Sequence, residues 1–220
     1  MIRLENLTKS FVTGQGRKTL FNGLTAQLPT GQSVALLGRN GAGKSTLLKL
    51  IAGTLRPSRG RVVSTGRISY PVGFQGSFHP DLTGVQNTRF VARIYAVDSD
   101  ALVAFVQNFA ELGGDFNLPF RAYSAGMKAR LSFGVSMGLP FDTYLVDEVT
   151  SVGDGAFRRK SIALLEHRLQ SAGAVVVSHS EHMVRRLCSC AAVLEAGRLQ
   201  FFDDVEEALA LHAANLAARG

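Results

Sequence analysis

Residues 38–45 read Gly38-Arg39-Asn40-Gly41-Ala42-Gly43-Lys44-Ser45, and they are the strongest indication of the fold class. It matches the pattern of a phosphate-binding loop, the P-loop, residue for residue. Glycines let the backbone curl so that successive N–H groups point at phosphate oxygens, and the helix that follows directs its positive end at the same anion. Lys44 is placed to reach the outer phosphates of a nucleotide, and the Ser45 hydroxyl to bind Mg²⁺. We therefore predict a nucleotide site that includes Gly38, Asn40, Gly41, Ala42, Gly43, Lys44, Ser45 and Thr46.

The sequence on either side of this loop supplies the strand and the helix that it requires. Residues 33–37 have the apolar pattern of a buried strand, and residues 44–52 have a helical pattern that Gly53 and Pro57 end. Before them, residues 2–28 alternate between apolar and polar types and contain several glycines, which predicts short antiparallel strands and turns.

After residue 140, strand and helix patterns alternate. The expected elements are a strand at 144–146, a helix at 157–170, a strand at 174–177, a helix at 181–187, a hairpin around Ala196-Gly197 and a closing helix at 203–219. Strands that alternate with helices indicate a parallel sheet with helices on both faces.

The middle of the chain differs from both ends. Thr83 and Gln86 have the spacing of a capping box, and apolar residues follow at helical intervals as far as Leu118. The predicted fold is therefore α/β, with a P-loop NTPase (RecA-like) core, an N-terminal antiparallel β part and an inserted α-helical subdomain. We expect one domain over residues 1–220, with the helical subdomain at about 83–140.

Two carboxylates and a histidine follow predicted strands. Asp147 and Glu148 end the strand at 144–146, and His179 follows the strand at 174–177. Because the carboxyl ends of parallel strands face the ligand crevice, we expect all three side chains beside the phosphate loop. Asp147 is the candidate ligand of Mg²⁺, Glu148 the residue that activates the attacking water, and His179 a contact of the outermost phosphate. This arrangement favours ATP hydrolysis, with Lys44, Glu148 and His179 as the catalytic residues.

Composition and charge exclude fewer classes of function than the motifs do. The formal net charge is +7 and the isoelectric point is about 9.8, which would suit nucleic acid, an anionic membrane face or nucleotide phosphates. Basic residues form no long run and do not alternate with aromatic ones, so we expect no nucleic-acid partner. No apolar run approaches the roughly 18 residues of a membrane span, and the N-terminus has no signal-peptide pattern. We expect a soluble protein that is made and kept in the cytoplasm.

Residues 123–130 read Tyr-Ser-Ala-Gly-Met-Lys-Ala-Arg, and with the preceding motifs they resemble the signature of the ATP-binding subunits of ABC transporters. The resemblance covers nearly the whole chain. It implies that Ser124 and Gly126 contact the outermost phosphate of the ATP held by the P-loop of a second subunit. Two ATP molecules would then join a head-to-tail homodimer, the ATP sandwich.

Further positions resemble family residues one by one. Phe11 resembles the aromatic residue that stacks on adenine, and Asp154 the aspartate that communicates across the dimer. Gln75 resembles the glutamine that touches Mg²⁺ and water and signals to the membrane subunit, with Gln86 as the competing candidate. The metal ligands implied are thus Ser45, Gln75 and Asp147.

Departures from the common motifs indicate a branch of the family. Ala125, Met127 and Val149 stand where glycine, glutamine and proline are usual, and this form resembles the exporters of capsular polysaccharide, O-antigen or teichoic acid. Because the chain stops at Gly220 without a carbohydrate-binding domain, the capsule type is the expectation. O-antigen, teichoic acid, lipid or drug export are the alternatives, and a DNA-associated ABC ATPase is a remote one. The implied partners are two copies of a membrane permease at the cytoplasmic face of the bacterial inner membrane, with a periplasmic or inner-membrane adaptor as a further candidate.

Overall fold

A computed structural model describes residues 1–14, 16–148 and 154–218 of the chain. They form two compact units, of which the first contains Met1–Pro71, Phe141–Glu148 and residues 169–218, and the second Val72–Pro140 and residues 154–168. Val149, singled out in the sequence, lies outside the described residues. Among the described helices, none combines the length and the apolar character that crossing a membrane requires. The assignment of one domain with a subdomain at about 83–140 stays a prediction.

An antiparallel sheet of three strands begins the first unit. The strands are β1 (Ile2–Thr13), β2 (Gly16–Leu28) and β4 (Arg59–Ser64), in the order β2-β1-β4. The antiparallel pairing was predicted, but β1 and β2 are longer than expected. Their pairing continues from Ile2↔Leu28 to Thr13↔Gly16, because backbone hydrogen bonds hold the outer part of the hairpin where the apolar pattern has ended.

The second sheet of this unit confirms the predicted parallel core. Its order is β5-β6-β7-β3-β8-β9, and every pair is parallel except β8 with β9. The strands β3 and β7 at its centre are buried throughout, as expected for strands with helices on both faces. The strand bounds are β3 (Ser33–Leu37), β5 (Ile68–Pro71), β6 (Thr143–Asp147), β7 (Gly173–Val177), β8 (Cys190–Glu195) and β9 (Arg198–Phe202).

Three helices accompany the sheets of the first unit, and four helices make up most of the second. The first unit has α1 (Lys44–Ile51), α6 (Glu181–Leu187) and α7 (Val205–Ala217). The second has α2 (Gly84–Ile94), α3 (Ser99–Ala110), α4 (Ala125–Gly138) and α5 (Gly155–Leu169), the last ending one residue beyond the unit. The predicted capping box is confirmed, since Thr83 and Gln86 each accept from the other's backbone N–H at the start of α2.

An aromatic cluster centred on Phe109 forms part of the core of the second unit. The Phe109 ring lies 5.7 Å from Phe133 of α4 and 5.1 Å from Phe157 of α5, measured between ring centroids. Rings at these distances have favourable contacts beyond the burial of their apolar area. The cluster therefore fixes α3, α4 and α5 against one another.

One position of β4 in the first sheet accepts only glycine, and this requirement can be tested. Gly60 has a φ of 75°, and a Cβ atom there would overlap the carbonyl oxygens of Glu5 and Asn6 in β1. We expect Gly60→Ala to lower the free energy of unfolding by about 3 kcal/mol, because left-handed strain and a backbone clash add together. Gly53 is the matched control, since its φ is 72° and a Cβ there would meet nothing within 4 Å. Gly53→Ala should cost only about 1 kcal/mol. Equal losses in urea denaturation would contradict the clash.

Candidate functional site

The glycine loop connects the end of β3 to the start of α1, as predicted. A Cβ atom on Gly38 would lie 2.5 Å from the carbonyl oxygen of Leu194 in β8, so only glycine lets the loop approach this strand. Gly41 and Gly43 have φ values of 81° and 105°. Gly43 is the N-cap of α1, and no side chain from the described residues caps that end. The first N–H groups of the helix are therefore available to an anion.

Lys44 lies over this loop. Its Nζ atom donates hydrogen bonds to the carbonyl oxygens of Gly38 and Arg39. Burial lowers the pKa of Lys44 from its ordinary value, and the charges of Asp147 and Glu148 act in the opposite direction. A partly desolvated ammonium group is stabilised by each further negative charge that approaches it. Lys44 is thus suited to hold phosphate oxygens.

The predicted carboxylates and histidine come together at the ends of neighbouring strands. Asp147 pairs with Val177 in the parallel register of β6 and β7, and the Glu148 N–H donates to the Val177 carbonyl oxygen over 3.0 Å. The Glu148 Oε1 and His179 Nε2 atoms are 2.9 Å apart. Both side chains remain about half exposed, at 51% and 58%. A carboxylate held against an imidazole at this distance can accept a proton and can orient a water molecule.

The backbone of Glu148 is unusual. Its φ of 49° lies in the left-handed region, which costs a non-glycine residue free energy. The hydrogen bond to β7 and the contact with His179 hold the residue there. Residues in such conformations often lie at functional sites, but Ala96 and Glu111, away from the cavity, share this conformation, so the role of Glu148 stays a prediction.

A cavity of about 440 Å³ brings most of the predicted nucleotide-binding residues together. This volume lies within the usual range for small-molecule sites. Gly38 lies outside its lining and instead borders a smaller cavity of about 170 Å³, together with Lys44 and His179. Ala42 borders neither. The predicted residues that line the larger cavity are Phe11, Asn40, Gly41, Gly43, Lys44, Ser45, Thr46, Asp147, Glu148 and His179.

Four further residues line the same cavity and were not predicted: Thr13, Lys18, Leu20 and Val177. Lys18 lies directly opposite Phe11 in the pairing of β1 and β2. The hairpin pattern could have indicated this neighbour, since residues paired across two strands share a face. Thr13 and Leu20 depend on how far the hairpin extends, for which the apolar pattern gives no signal.

The donor set suits a nucleotide with a hard divalent cation. The Ser45 hydroxyl and the Asp147 carboxylate both border the cavity, and oxygen ligands are those that Mg²⁺ prefers. Within residues 1–14, 16–148 and 154–218, no group of three or more His, Cys, Asp or Glu side chains could hold a metal by itself. Mg²⁺ commonly binds through one or two protein ligands together with substrate phosphates. The residues present therefore fit MgATP.

The signature residues lie in the second unit. Ser124 is the N-cap of α4, and its Oγ atom accepts from the Met127 N–H over 3.2 Å. Gly126 follows in the first turn, exposed to solvent. Asp154 accepts from the N–H groups of Ala156 and Phe157 at the start of α5. These bonds and the nearby Arg130 lower the pKa of Asp154. Both helix starts are thus ordered by acceptor side chains.

The structure bears on the choice between the two glutamines. The Gln86 Oε1 atom accepts from the Thr83 N–H within the capping box, so this side chain is engaged in its own helix. Gln75 is exposed at a turn in which its carbonyl oxygen accepts from Phe78. Gln75 is the more available of the two, and its contact with Mg²⁺ stays a prediction.

Comparisons with known proteins identify the family to which the chain belongs. The model of the ABC transporter family matches residues 21–151. The polysialic acid transport ATP-binding protein KpsT of Escherichia coli is 47% identical over 89% of this chain and 88% of its own length. The capsule polysaccharide export ATP-binding protein CtrD of Neisseria meningitidis serogroup B is 42% identical, over 94% and 96%. The ATP-binding protein BexA of Haemophilus influenzae is 41% identical over the same shares.

A solved structure shares the fold. The ATP-binding cassette MJ0796, in a dimeric post-hydrolysis state bound to ADP and Pi, superposes with a TM-score of 0.76 at 22% sequence identity. The match covers 91% of this chain and 97% of that one. The predicted P-loop NTPase fold is confirmed. With its phosphate loop, its paired Glu148 and His179 and relatives of more than 40% identity, the chain belongs to the ABC transporter family and is one of its ATP-binding, ATP-hydrolysing subunits.

Proposed function

We propose that this chain is the ATP-hydrolysing subunit of an exporter that moves capsular polysaccharide across the inner membrane of a bacterium. The observation that carries the ATPase chemistry is the contact between Glu148 and His179, 2.9 Å long, on the rim of the cavity that Lys44 and Ser45 also line. The cargo is supported by relatives named for capsule polysaccharide or polysialic acid transport, which match over nearly their full length.

The nucleotide-binding residues divide the work by position. Phe11, exposed on 37% of its surface, offers its ring to adenine, while the N–H groups of residues 41–44 and the Lys44 ammonium take the phosphates. Ser45 and Asp147, with Gln75 as the further ligand, are the residues that would hold Mg²⁺. When bound, the ion neutralises charge on the phosphate oxygens.

Glu148 acts on the attacking water. Its carboxylate accepts a hydrogen bond from that water and takes up the proton as the new bond to the outermost phosphorus forms and the bond from that phosphorus to the bridging oxygen breaks, so that ADP is the leaving group. His179 stays in contact with the carboxylate and fixes its direction. Its proposed second contact is with the outermost phosphate. Because the Glu148 N–H donates to the Val177 carbonyl oxygen, the position of the proposed base is fixed by a buried strand and not by a loop alone.

A second copy of the chain completes the site. Ser124 and Gly126 begin α4 where N–H groups and the positive helix end attract an anion. We infer that they cover the outermost phosphate held by the P-loop of the partner subunit, in an ATP-sandwich homodimer. Asp154, at the start of α5, is the residue that communicates between the two sites. The dimeric cassettes of the same fold support this arrangement.

Transport requires a membrane partner. We infer two permease copies that hold the ATPase dimer at the cytoplasmic face of the inner membrane, with an export adaptor as a further partner. Gln75, exposed in the second unit, is the residue that reports the nucleotide state to the permease.

Deletion of the gene in the bacterium that encodes it tests this proposal. We expect polysaccharide to disappear from the cell surface and to accumulate inside, because polymer synthesis continues without export. The wild-type gene should restore the capsule, and Glu148→Gln should not. Capsule staining and fractionation of cell-associated polymer measure the outcome. Loss of O-antigen or teichoic acid with an intact capsule would contradict the cargo, and unchanged surface polymers of every kind would contradict the export function.

A further inference from the structure

A second cavity, of about 770 Å³, lies in the first unit apart from the nucleotide-binding residues. Its lining shares only Leu20 with the nucleotide cavity. Along β2, Arg17 and Thr19 line this cavity while Lys18 between them lines the other. Successive residues of a strand point to opposite faces, so the two cavities lie on opposite faces of the β1–β2 hairpin.

Three arginines from three strands border this cavity, which we name the arginine pocket: Arg17 of β2, Arg59 of β4 and Arg198 of β9. Within the described parts of the chain, none of the three has a hydrogen bond or an ion pair to another side chain, and no acidic residue lines the cavity. Arg61, two residues beyond Arg59, differs in this respect, since its Nε atom donates to Glu5 over 2.7 Å. The pocket thus concentrates positive charge along its lining, and an acidic residue beside it is Glu195, which lies opposite Arg198 in the pairing of β8 and β9.

The groups between the arginines are uncharged and polar. The hydroxyl oxygens of Ser10 and Thr19 lie 2.9 Å apart, and together they retain further hydrogen-bonding capacity. The exposed Asn22 amide has no hydrogen-bond partner among the described residues. No aromatic ring lines the pocket where the chain is described, so a nucleobase would find no stacking surface.

The wall formed by the β8–β9 turn is held in place by close backbone packing. A Cβ atom on Gly197 would lie 2.8 Å from the carbonyl oxygen of Leu20 in β2, so the turn rests directly on that strand. The next residue, Arg198, is thereby carried to the edge of the pocket. Arg59 is placed by its register, opposite Thr8 of β1. Arg59 and Arg198 therefore project from backbone that is positioned by strand pairing and close packing, which lowers the entropy lost on binding.

We propose that the arginine pocket binds a short acidic oligosaccharide, a segment of the exported polymer whose sugars carry carboxylate groups. Guanidinium groups pair with carboxylates in two parallel hydrogen bonds, and a cavity of about 770 Å³ lined by three of them has room for an oligosaccharide that carries more than one acid group. The hydroxyl and amide groups between them match sugar hydroxyls. This proposal rests on the proposed function, because it takes its ligand from the polymer that the exporter carries.

Isothermal titration of the purified chain tests the pocket directly. A non-hydrolysable ATP analogue at saturating concentration blocks the nucleotide cavity, and tetrasialic acid and tetragalacturonic acid serve as carboxylate probes. Pyrophosphate and maltotetraose are the compact-anion and neutral-sugar controls. We expect at least one carboxylate probe to bind, and Arg59→Gln/Arg198→Gln to weaken it about 10- to 100-fold, because two charge-assisted contacts are lost. Arg56→Gln/Arg67→Gln removes the same charge outside the pocket and should change the affinity less than about twofold.

Several outcomes would contradict the proposal that the arginine pocket binds an acidic oligosaccharide. They are binding of neither carboxylate probe, equal losses in the two double variants, tighter binding of pyrophosphate, or equal binding of maltotetraose. Thermal melting of each variant separates a binding loss from a folding defect, and Arg59→Lys/Arg198→Lys, which keeps the charge, should still weaken binding because the paired geometry is lost. ATPase activity is measured in parallel. Normal ATPase without oligosaccharide binding refutes this inference alone, whereas absent ATPase in the wild-type dimer refutes the proposed function.

Discussion

Replacing Glu148 by glutamine is expected to slow ATP hydrolysis by about 10²- to 10⁴-fold, the usual contribution of a positioned general base. The amide keeps the shape of the side chain and its contact distance to His179, but it cannot take a proton from water. ATP affinity should stay within about threefold of the wild type, because the proposed role of Glu148 is to contact the water rather than the phosphates. Phosphate release at saturating ATP measures the rate, and equilibrium titration with a fluorescent ATP analogue measures the affinity.

The same substitution should trap the ATP-bound dimer. If hydrolysis separates the subunits, a chain that binds ATP without cleaving it will elute as a dimer from a sizing column when Mg²⁺ and ATP are present. Glu207→Gln is the matched control, since it makes the same change on the exposed first turn of α7. This control should hydrolyse ATP at the wild-type rate and show no trapped dimer. Wild-type turnover in Glu148→Gln would remove the role assigned to Glu148.

Removal of the Lys44 side chain has the other large expected effect. Lys44→Ala should weaken ATP binding about 100-fold or more, because the variant lacks the charge-assisted contacts that we propose for Lys44 with the outer phosphates in a partly desolvated site. Hydrolysis should fall with binding, in contrast to Glu148→Gln. Equilibrium titration with the same fluorescent analogue measures this loss.

Lys49→Ala provides the comparison for Lys44. Lys49 is an exposed lysine near the end of the same helix, α1. Its substitution removes one positive charge from α1 without touching the nucleotide cavity, and it should leave the affinity almost unchanged. Similar losses in the two variants would mean that net charge, rather than the position of Lys44, determines nucleotide affinity.

Much of the candidate site can be predicted from the sequence because the motifs that indicate it are short and continuous. The sequence shows the glycines of residues 38–43 together with the strand before them and the helix after them. Asp147, Glu148 and His179 follow strands whose carboxyl ends must meet at one edge of a parallel sheet. Residue type and sequence spacing are sufficient for such positions.

Other parts of the site depend on contacts between distant segments. The left-handed backbone of Glu148 follows from hydrogen bonding to β7, about 30 residues away in the chain, and no residue pattern indicates it. The length of the β1–β2 hairpin brings Lys18 and Leu20 to the nucleotide cavity through backbone pairing alone. The arginine pocket likewise unites residues 17, 59 and 198, which are basic residues of an ordinary surface when they are considered singly.

The contact between Arg130 and Asp154 connects two helices of the second unit, α4 and α5. Arg130 of α4 bonds to the Asp154 carboxylate over 2.7 Å and lies over the ring of Phe157 in α5, 4.5 Å from its centroid. Phe157 packs in turn against Phe109. Arg130 therefore links the first turns of α4 to the start of α5. We expect a displacement of α4 to be passed to the start of α5 through Arg130.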